Sequence, residues 1–578
     1  MNTLVIVLIA AVVLVCAYAG YGRWLAKTWG VDPNAKTPAV RLEDGKDYVP
    51  TNGWTVFAHQ FSSIAGAGPV TGAIQAAAFG WLPVLLWVLI GGVFFGAVTD
   101  FGALYASVKN DGKSMGLLIE KYIGKTGRKL FLLFCWLFCG IVIAAFADMV
   151  AGTFNAFDAD GAQVEAAFTN GSAGMVSIMF MVFAVIFGLI QKKFNFSGWK
   201  EAVVGIAFIV LSFVVGMNCP IILGKAAWSY ITFIYIFFAA VLPMWLLKQP
   251  RDYMTTFMFG AMIAGAIVGL LVAHPTMNLP VFTGFNNEKL GTMFPILFVT
   301  VACGAVSGFH SLIGSGTTSK QLDSEKDAKV IGYGAMIVES ALAVIALIAI
   351  GVVFKETNIG GGEKFLLTAP PTIFAGGVAT MVATTFGGVA DFSNPVYDTT
   401  YTLLTLAVSV FALTSLDSGT RLARYMFAEL FVPEGKTREE LTGARKFFSN
   451  PFVATLIMVV IGCGMGFMGL NQIWGVFGAA NQLLAGIAML AVASWLGQVG
   501  KSNKMFFVPM VFMLAATGTS LTMTIIAKIK LIAGLVADKT AAWGDWFQMI
   551  WSVGLIVLAV ILVVEGVQVL AKPKAKKA

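Results

Sequence analysis

Long apolar segments without any charged residue recur along the whole chain, and they decide the class of protein. Thr3–Gly22 and Trp546–Val564 contain no Asp, Glu, Lys or Arg. Segments of about 18 or more apolar residues are long enough to cross the hydrocarbon core of a bilayer. Lipid offers no partners to backbone N–H and C=O groups, and the segments lack the alternation of barrel strands, so they are read as helices. The pattern therefore predicts an all-α, polytopic membrane protein.

This pattern predicts fifteen membrane helices and one ambiguous segment. The helices lie near residues 3–22, 53–77, 81–108, 130–157, 174–191, 201–218, 227–247, 255–273, 293–314, 329–354, 396–417, 452–469, 472–497, 506–527 and 547–570. A sixteenth apolar stretch, 373–389, is interpreted as a re-entrant or surface segment. Counting it as a crossing would place the basic loop 418–451 outside, against the preference of basic loops for the cytoplasm.

Composition and the placement of charge fit this class. Hydrophobic residues make up 58% of the chain and charged residues 12%. Most of the 38 Lys and Arg residues fall in alternate loops, which predicts an outside N-terminus and a cytoplasmic C-terminal tail, AKPKAKKA. The net charge of +8 therefore predicts orientation in the bilayer and no nucleic-acid partner. The cysteines show no disulfide or zinc spacing, and no metal site is expected.

Two predicted helices are too rich in glycine and polar groups to face lipid. The second span contains FAHQFSSIAGAGPV, residues 57–70, and the ninth ends in SGFHSLIGSGTT, residues 307–318. Interruptions are predicted at Gly66, Gly68 and Pro69 in the first, and at Gly314 and Gly316 in the second. The two spans run in opposite directions, and a pair of antiparallel interrupted helices is typical of an inverted repeat. For each segment alone, glycines that merely allow close packing remain the alternative.

The spans group into two five-helix repeats of opposite orientation, 53–218 and 293–497, each beginning with its broken helix. This is the LeuT-type pattern, in which solute and coupling ions bind at mid-membrane between the two broken helices. Residues 1–22, 227–273 and 506–570 are then accessory helices, and residues 1–578 form a single transporter domain.

Polar residues at the breaks are the candidate solute-binding groups. They are His59, Gln60, Ser62, Ser63, Gly66, Gly68, His310, Ser311, Gly314, Ser315, Gly316, Thr317, Asn481 and Gln482. Backbone N–H groups at 62–68 and 314–317 are expected to bind a carboxylate at half-helix N-termini, where the helix dipole favours anions.

Ionisable residues inside membrane helices cost about 2.5–3.5 kcal/mol each on insertion scales and commonly mark function. Asp100 and Glu339 lie near the predicted midplane, and Asp148 lies nearer the outer face. Each is a candidate proton carrier or histidine partner, with a structural polar pair as the alternative. No Lys or Arg is expected deep inside a span.

A candidate cation site is predicted near the inner end of the eleventh span. Thr414, Ser415 and Asp417 supply its oxygens. Hydroxyls that bond back to their own helix are the alternative. Asp417 also stands four residues before Arg421, a spacing that predicts a salt bridge along one helix.

Seven blocks of sequence, taken in order, carry a family signature. They are IAGAGPVTG, AVTDF, LPMWLLKQPRDY, FPILFVTVACGAVSGFHSLIGSGTTSKQL, IGYGAMIVES, FALTSLDSGTRLARY and FGAANQLLAGIAML. Together they resemble the carbon starvation protein A family of bacterial inner-membrane transporters, over most of residues 50–500. Gln60 and Ala73 stand where members often have histidine and proline, which leaves the choice of solute open.

The resemblance implies a secondary importer of peptides, or alternatively of pyruvate and similar small monocarboxylates. It implies H⁺ as the coupling ion, with Na⁺ as the alternative, and no other cofactor. The chain has no GxxxxGK[ST] motif, which argues against an ATP-driven pump. A membrane enzyme is not expected, since HExxH and GxSxG are also missing. A receptor or channel remains an alternative that gradient-driven accumulation would exclude.

Overall fold

A computed structural model describes residues 2–45, 48–157, 161–164, 167–194, 198–355, 366, 370–432, 438–536 and 540–571, without the side chains of 470–472. Throughout these residues the fold is helical apart from one short hairpin. The first thirteen helices are α1 (Thr3–Cys16), α2 (Gly22–Trp29), α3 (Pro38–Arg41), α4 (Gly53–Ile64), α5 (Gly68–Ala76), α6 (Trp81–Gly91), α7 (Ala97–Val108), α8 (Met115–Tyr122), α9 (Lys125–Phe154), α10 (Ala167–Phe194), α11 (Trp199–Asn218), α12 (Lys225–Val241) and α13 (Lys248–Ala273).

An antiparallel hairpin separates these helices from the rest. Its strands are β1 (Asn286–Asn287) and β2 (Gly291–Thr292), with Asn286 opposite Thr292. The remaining helices are α14 (Met293–Thr300), α15 (Gly308–Gly316), α16 (Ala335–Val353), α17 (Pro370–Thr385), α18 (Pro395–Phe431), α19 (Gly443–Phe448), α20 (Pro451–Gly466), α21 (Leu470–Gln498), α22 (Phe507–Ile532) and α23 (Trp543–Ala571).

The membrane helices agree in number with the prediction. Within the described ranges, eleven helical elements are long and apolar enough to cross a bilayer, and α12 and α20 are shorter apolar helices. The broken pairs α4–α5 and α14–α15 complete the fifteen predicted spans. The protein is therefore a multi-pass, all-α membrane protein. The tail residues 572–578, on which part of the orientation prediction depends, lie outside the described residues.

Local sequence sets where several of these helices begin. Asn394 and Asn450 each precede a proline, and each side chain accepts a hydrogen bond from the backbone N–H two residues on, at 3.0 Å. An asparagine cap satisfies a free N–H group, and proline is favoured in the first turn because it has no N–H to satisfy. Asn52 caps α4 in the same way by accepting from Thr55 N–H at 3.0 Å.

The first predicted break is confirmed. Helix α4 ends at Ile64, residues 65–67 are non-helical, and α5 starts at Gly68 with Pro69 in its first turn. Proline cannot donate to the helical ladder, so the chain restarts a helix there instead of continuing one. The break is fully buried in protein, as irregular backbone at membrane depth requires.

The second break lies elsewhere than predicted. Helix α14 ends at Thr300, residues 301–307 are irregular, and α15 runs without interruption from Gly308 to Gly316. Gly314 and Gly316 therefore lie inside α15 and do not interrupt it. A Cβ atom at Gly316 would come within 2.8 Å of Leu422 on α18, so this glycine permits close helix packing. His59 precedes its break, whereas His310 follows its own.

The two broken helices meet at their breaks. A Cβ atom at Gly68 would lie 2.6 Å from Sγ of Cys303, and one at Gly72 would lie 2.7 Å from the carbonyl oxygen of Thr300. The absence of side chains at these two glycines lets the backbone of α5 lie directly on the second break. This contact joins the two broken helices directly at their breaks.

Helix packing favours a different division of the first repeat from the predicted one. Helix α21 packs on α15, α9 and α7. The pseudo-symmetry relates α15 to the first broken helix and α9 to α18. The counterpart of α21 should therefore pack on the first broken helix and on α18, and α13 packs on both. Helix α12 packs on α9, α18 and α20, whereas α10 and α11 form a hairpin against α13. From this packing we infer that α12 and α13 belong to the first repeat and that α10–α11 is the insertion, an assignment that stays a prediction.

The ambiguous segment 373–389 forms most of α17 and the turn after it. This helix has 16 residues, about 24 Å at 1.5 Å per residue, and packs among α13, α16 and α18. Its N-terminal part is buried in protein, and Phe386 and Val389 beyond its end are exposed. A buried helix of this length fits the re-entrant interpretation, which remains a prediction.

We expect Gly72→Ala to destabilise the protein by about 1–3 kcal/mol, because the new methyl group would press against backbone at the second break. Thermal unfolding of the purified protein in detergent measures this. Gly518→Ala on α22 is the matched control, since a Cβ atom there meets nothing within 4 Å. Equal melting temperatures for the two variants would contradict the close contact between the breaks.

Candidate functional site

Two clusters of buried ionisable side chains lie at the broken helices. The His59 cluster consists of His59, Ser63, Lys248, Asp252 and Thr317. The His310 cluster consists of Asp100, Cys303, His310 and Glu339. No member of either cluster is more than 6% exposed. Buried charged groups are costly unless they pair, so each cluster is a candidate functional site.

In the His59 cluster the imidazole joins three helices. Nδ1 lies 2.8 Å from Oδ2 of Asp252 on α13, and Nε2 lies 3.1 Å from Oγ1 of Thr317 at the end of α15. Lys248, one turn before Asp252, places its Nζ 3.0 Å from the same carboxylate oxygen. One carboxylate is therefore shared between an ammonium and an imidazole that can itself take up a proton.

The His59 cluster extends to α18 through Ser63. Nζ of Lys248 is 3.3 Å from Oγ of Ser63, which is also 3.2 Å from Oγ of Ser418. Ser415 donates a hydrogen bond of 3.2 Å to the carbonyl oxygen of Ser63. The predicted oxygen Ser415 is therefore part of a polar network across α4, α13 and α18. Thr414 bonds back to the carbonyl of Val410 on its own helix, as the alternative interpretation has it.

The His310 cluster brings two predicted carboxylates to one imidazole. Nδ1 of His310 lies 2.9 Å from Oδ2 of Asp100 on α7, and Nε2 lies 3.4 Å from Oε2 of Glu339 on α16. Among the described residues, neither carboxylate oxygen of Glu339 has a hydrogen-bond partner, nor does Oδ1 of Asp100. Two carboxyl groups beside one imidazole in a buried site favour binding of a positive charge, including a proton.

Three side chains of the His310 cluster have donor atoms suited to a metal ion. Sγ of Cys303, an imidazole nitrogen of His310 and a carboxylate oxygen of Glu339 lie within 4.8 Å of one another. Zn²⁺ uses these ligand types, and Asp100 behind the imidazole resembles the carboxylate that orients a metal-binding histidine. The cluster could therefore hold a divalent metal ion as well as a proton.

The predicted residues Asn481 and Gln482 hold the second break in shape. Oδ1 of Asn481 accepts the backbone N–H of Phe309 at 2.9 Å and lies 3.1 Å from Oγ of Ser307, at the start of α15. Gln482 donates from Nε2 to the carbonyl oxygens of Phe298 and Val301 at 2.9 and 3.1 Å, at the end of α14. These amides satisfy backbone groups that the break leaves without helical partners.

Several predicted binding groups are used within the protein. Thr318 donates to Oε1 of Gln60 at 2.5 Å. The hydroxyls of Ser62, Ser311 and Ser315 each bond to a carbonyl oxygen on their own helix. The expected N–H groups at 62–63 and 314–317 belong to C-terminal turns of α4 and α15, whose free groups are carbonyls. Of the N–H groups that were predicted to bind a carboxylate, only those of Gly66–Gly68 lie at a half-helix N-terminus.

Asp417 has different partners from the predicted ones. It lies well inside α18, where it pairs with Arg251 of α13 and accepts a hydrogen bond of 2.6 Å from Tyr235 of α12. Arg421 instead donates to the carbonyl oxygens of Ala239 and Leu242 at 2.7 Å. The predicted i,i+4 salt bridge between Asp417 and Arg421 is therefore wrong, because the carboxylate pairs with the guanidinium of Arg251 on a neighbouring helix. That pairing uses Oδ2 of Asp417, whereas Oδ1 has no hydrogen-bond partner among the described residues, and the candidate cation site stays a prediction.

Asp148 lies apart from both clusters. Its carboxylate is 2.7 Å from Nζ of Lys225, whose side chain is 45% exposed. This pair lies in the last two turns of α9, and its lysine is partly exposed. The assignment of Asp148 as a proton carrier stays a prediction.

The residues that sequence reasoning missed are Lys248, Arg251 and Asp252. All three are buried, so the expectation of no deep Lys or Arg is wrong. The predicted span starts at 255 because the charged residues were assigned to the preceding loop, whereas α13 starts at Lys248. The available signal was the spacing K-x-x-R-D, which places two basic groups and an acid within one turn of a helix.

The two broken helices and the helices packed around them form a fold of the LeuT type. A manganese transporter from Eremococcus coleocola matches with a TM-score of 0.51 and 12% identity, over 91% of this chain and 99% of the other. Identity this low shows the shared fold alone.

Sequence comparison then shows the family. The family model described as "Carbon starvation protein CstA" matches residues 2–362 and 356–520. A protein named Peptide transporter CstA, from Escherichia coli strain K12, is 32% identical over 563 residues, 85% of this chain and 76% of the relative. One named Pyruvate/proton symporter BtsT, from the same strain, is 32% identical over 569 residues, with the same coverage. The chain belongs to the carbon starvation protein CstA family.

We expect Arg251→Met to destabilise the protein by about 3–5 kcal/mol, because it leaves the Asp417 carboxylate buried without its cation. The double variant Arg251→Met, Asp417→Leu should recover most of that loss. Unfolding in detergent of Arg251→Met, of the single variant Asp417→Leu and of the double variant measures the coupling. Arg41→Ala, which breaks an exposed pair with Asp111, is the control and should change stability by less than about 1 kcal/mol. Additive effects in the double variant would contradict the pairing.

Proposed function

We propose that this protein is a proton-coupled importer of small organic nutrients, with peptides as the principal solutes, in a bacterial inner membrane. The observation that carries the proposal is the buried His310 cluster beside the contact of the two broken helices. Relatives in the family are named as a peptide transporter and as a pyruvate/proton symporter. Membership of a family of transporters also supports our expectation that the protein is not an enzyme. An outside N-terminus and a cytoplasmic C-terminus remain our prediction from the charges of the loops.

The first half of the proposal concerns the solute. Peptides and pyruvate share a carboxylate, and the N-terminus of α5 at Gly66–Gly68 is a half-helix end whose dipole attracts anions. Phe146 lies 3.6 Å from the position of a Cβ atom on Gly66 and packs edge-on against Phe477, with ring centroids 5.8 Å apart. An apolar aromatic wall next to a carboxylate-binding end suits a small organic acid or a short peptide.

The second half concerns coupling. A proton bound between His310 and Glu339 would neutralise a buried carboxylate that has no hydrogen-bond partner among the described residues. Cys303 lies at the same cluster and touches Gly68 of the opposite break. Protonation of the cluster would therefore change the charge next to the contact between the two broken helices, which is where the solute is proposed to bind.

We expect Glu339→Gln to abolish accumulation driven by an imposed pH gradient in proteoliposomes, with a loss of at least about tenfold. Exchange of labelled for unlabelled solute should continue, since it needs no net proton movement. Glu201→Gln is the control, because this acid bonds to Gln191 at 2.6 Å within the α10–α11 hairpin and belongs to neither cluster. Unchanged gradient-driven uptake by Glu339→Gln would overturn the coupling assignment. Loss of uptake on treatment with a chelator would instead assign the cluster to a metal ion.

The choice between solutes is tested by labelled dipeptide and labelled pyruvate on one purified sample, with H⁺ and Na⁺ gradients imposed separately. We expect saturable dipeptide uptake that follows the H⁺ gradient and is inhibited by excess unlabelled dipeptide. Pyruvate uptake without dipeptide uptake would establish the alternative, a monocarboxylate/H⁺ symporter. His59→Ala and His310→Ala should each reduce uptake, and full activity of both would show that the site is misplaced.

A further inference from the structure

Lys248 occupies an unusual position for a lysine. It is the first residue of α13 but only 3% exposed. Lysines at the ends of membrane helices ordinarily extend toward water. Here Nζ turns inward and lies 3.0 and 3.3 Å from the two carboxylate oxygens of Asp252 and 3.3 Å from Oγ of Ser63. A buried ammonium is costly, so the surrounding groups must favour a positive charge at this point.

Oxygen atoms of two helices contact that ammonium, and hydroxyls of a third helix bond to one of the contacting residues. Asp252 on α13 provides a carboxylate, and Ser63 in the last turn of α4 provides a hydroxyl and a carbonyl. Ser415 and Ser418 on α18 reach the carbonyl and the hydroxyl of Ser63, each at 3.2 Å. The C-terminal end of a half-helix carries partial negative charge, and such ends together with free carbonyls bind alkali cations in transporters built on broken helices.

We propose that the Lys248 ammonium is a tethered cation that fills a site with the ligands of a sodium site, and that it makes this transporter independent of Na⁺. The ammonium joins α13 to α4 and, through Ser63, to α18. A bound Na⁺ would join the same three helices. The consequence for transport rests on the proposed function, whereas the cation site itself rests only on the contacts of Lys248, Asp252 and Ser63.

Shortening the side chain should convert the site into a sodium site. Lys248→Ala removes the ammonium and most of the side chain. The carboxylate of Asp252 and the hydroxyl of Ser63 then face the cavity that the deleted side-chain atoms leave. We expect NaCl, compared with choline chloride at equal ionic strength, to raise the melting temperature of purified Lys248→Ala by about 2 °C or more. The wild type should show no such difference.

Two further variants make the result specific. Lys248→Met keeps most of the side-chain volume without the charge, and it should show no sodium effect because the methyl end occupies the site. Lys225→Ala, which removes a lysine from the partly exposed pair with Asp148, controls for the loss of one positive charge. A sodium effect in all three variants would mean a general salt response and would overturn the proposal. A stabilising effect of Na⁺ on the wild type would overturn it as well.

Folding and transport give independent checks. If Lys248→Ala folds only in the presence of Na⁺, the proposal is supported, and if it folds in neither salt, the proposal is wrong, because Na⁺ should replace the ammonium. Wild-type uptake driven by a pH gradient should be unchanged when choline replaces Na⁺. If no uptake of dipeptide or pyruvate is found while Lys248→Ala still responds to Na⁺, the proposed function fails and the tethered cation stands.

Discussion

Two broken helices crossing inside a bilayer impose one physical requirement on the rest of this structure. Backbone groups freed at a break must find partners in protein, since lipid provides none. Asn481 and Gln482 meet this requirement at the second break by bonding to backbone at both of its edges. At the first break, glycine allows the backbone of α5 to lie directly against Cys303 and Thr300. The close contact between the breaks and the side-chain amides of α21 therefore both keep the irregular backbone within protein and away from lipid.

Buried charge follows the same rule. Three charged residues lie at the start of α13, namely Lys248, Arg251 and Asp252. The free energy needed to bury them in lipid would be very large, yet each has a partner of opposite charge in the protein. Lys248 and His59 share Asp252, and Arg251 pairs with Asp417. Through these pairs α13 is joined to α4 and to α18, so that charge pairing, together with apolar packing, fixes the relative positions of the two repeats. This arrangement supports our inference that α13 belongs to the first repeat.

Much of the fold could be predicted from the sequence because it depends on local composition. Apolar length predicts the membrane helices, eleven of which are long enough to cross a bilayer among the described residues, and a glycine–proline pair predicts the first break. The predicted position of the second break is wrong because glycines such as Gly314 and Gly316 are typical both of an interrupted helix and of close helix packing. The sequence does not show that Leu422 of another helix packs against Gly316, which is the contact that identifies close packing. Likewise, His310, Asp100 and Glu339 were each predicted as functional, but their meeting at one imidazole depends on three helices far apart in sequence.

The sequence by itself determined that this is a polytopic helical protein with a broken helix at Gly66–Pro69, because hydrophobic length and the missing N–H of proline act locally. It also determined the family, through motifs that stand in order along the chain. Only the tertiary structure decided which polar groups are partners. Asp417 pairs with Arg251 and not with Arg421, and Lys248 turns inward and not toward water. The reason is physical, since the cost of burying a charge depends on the groups that other helices bring to it.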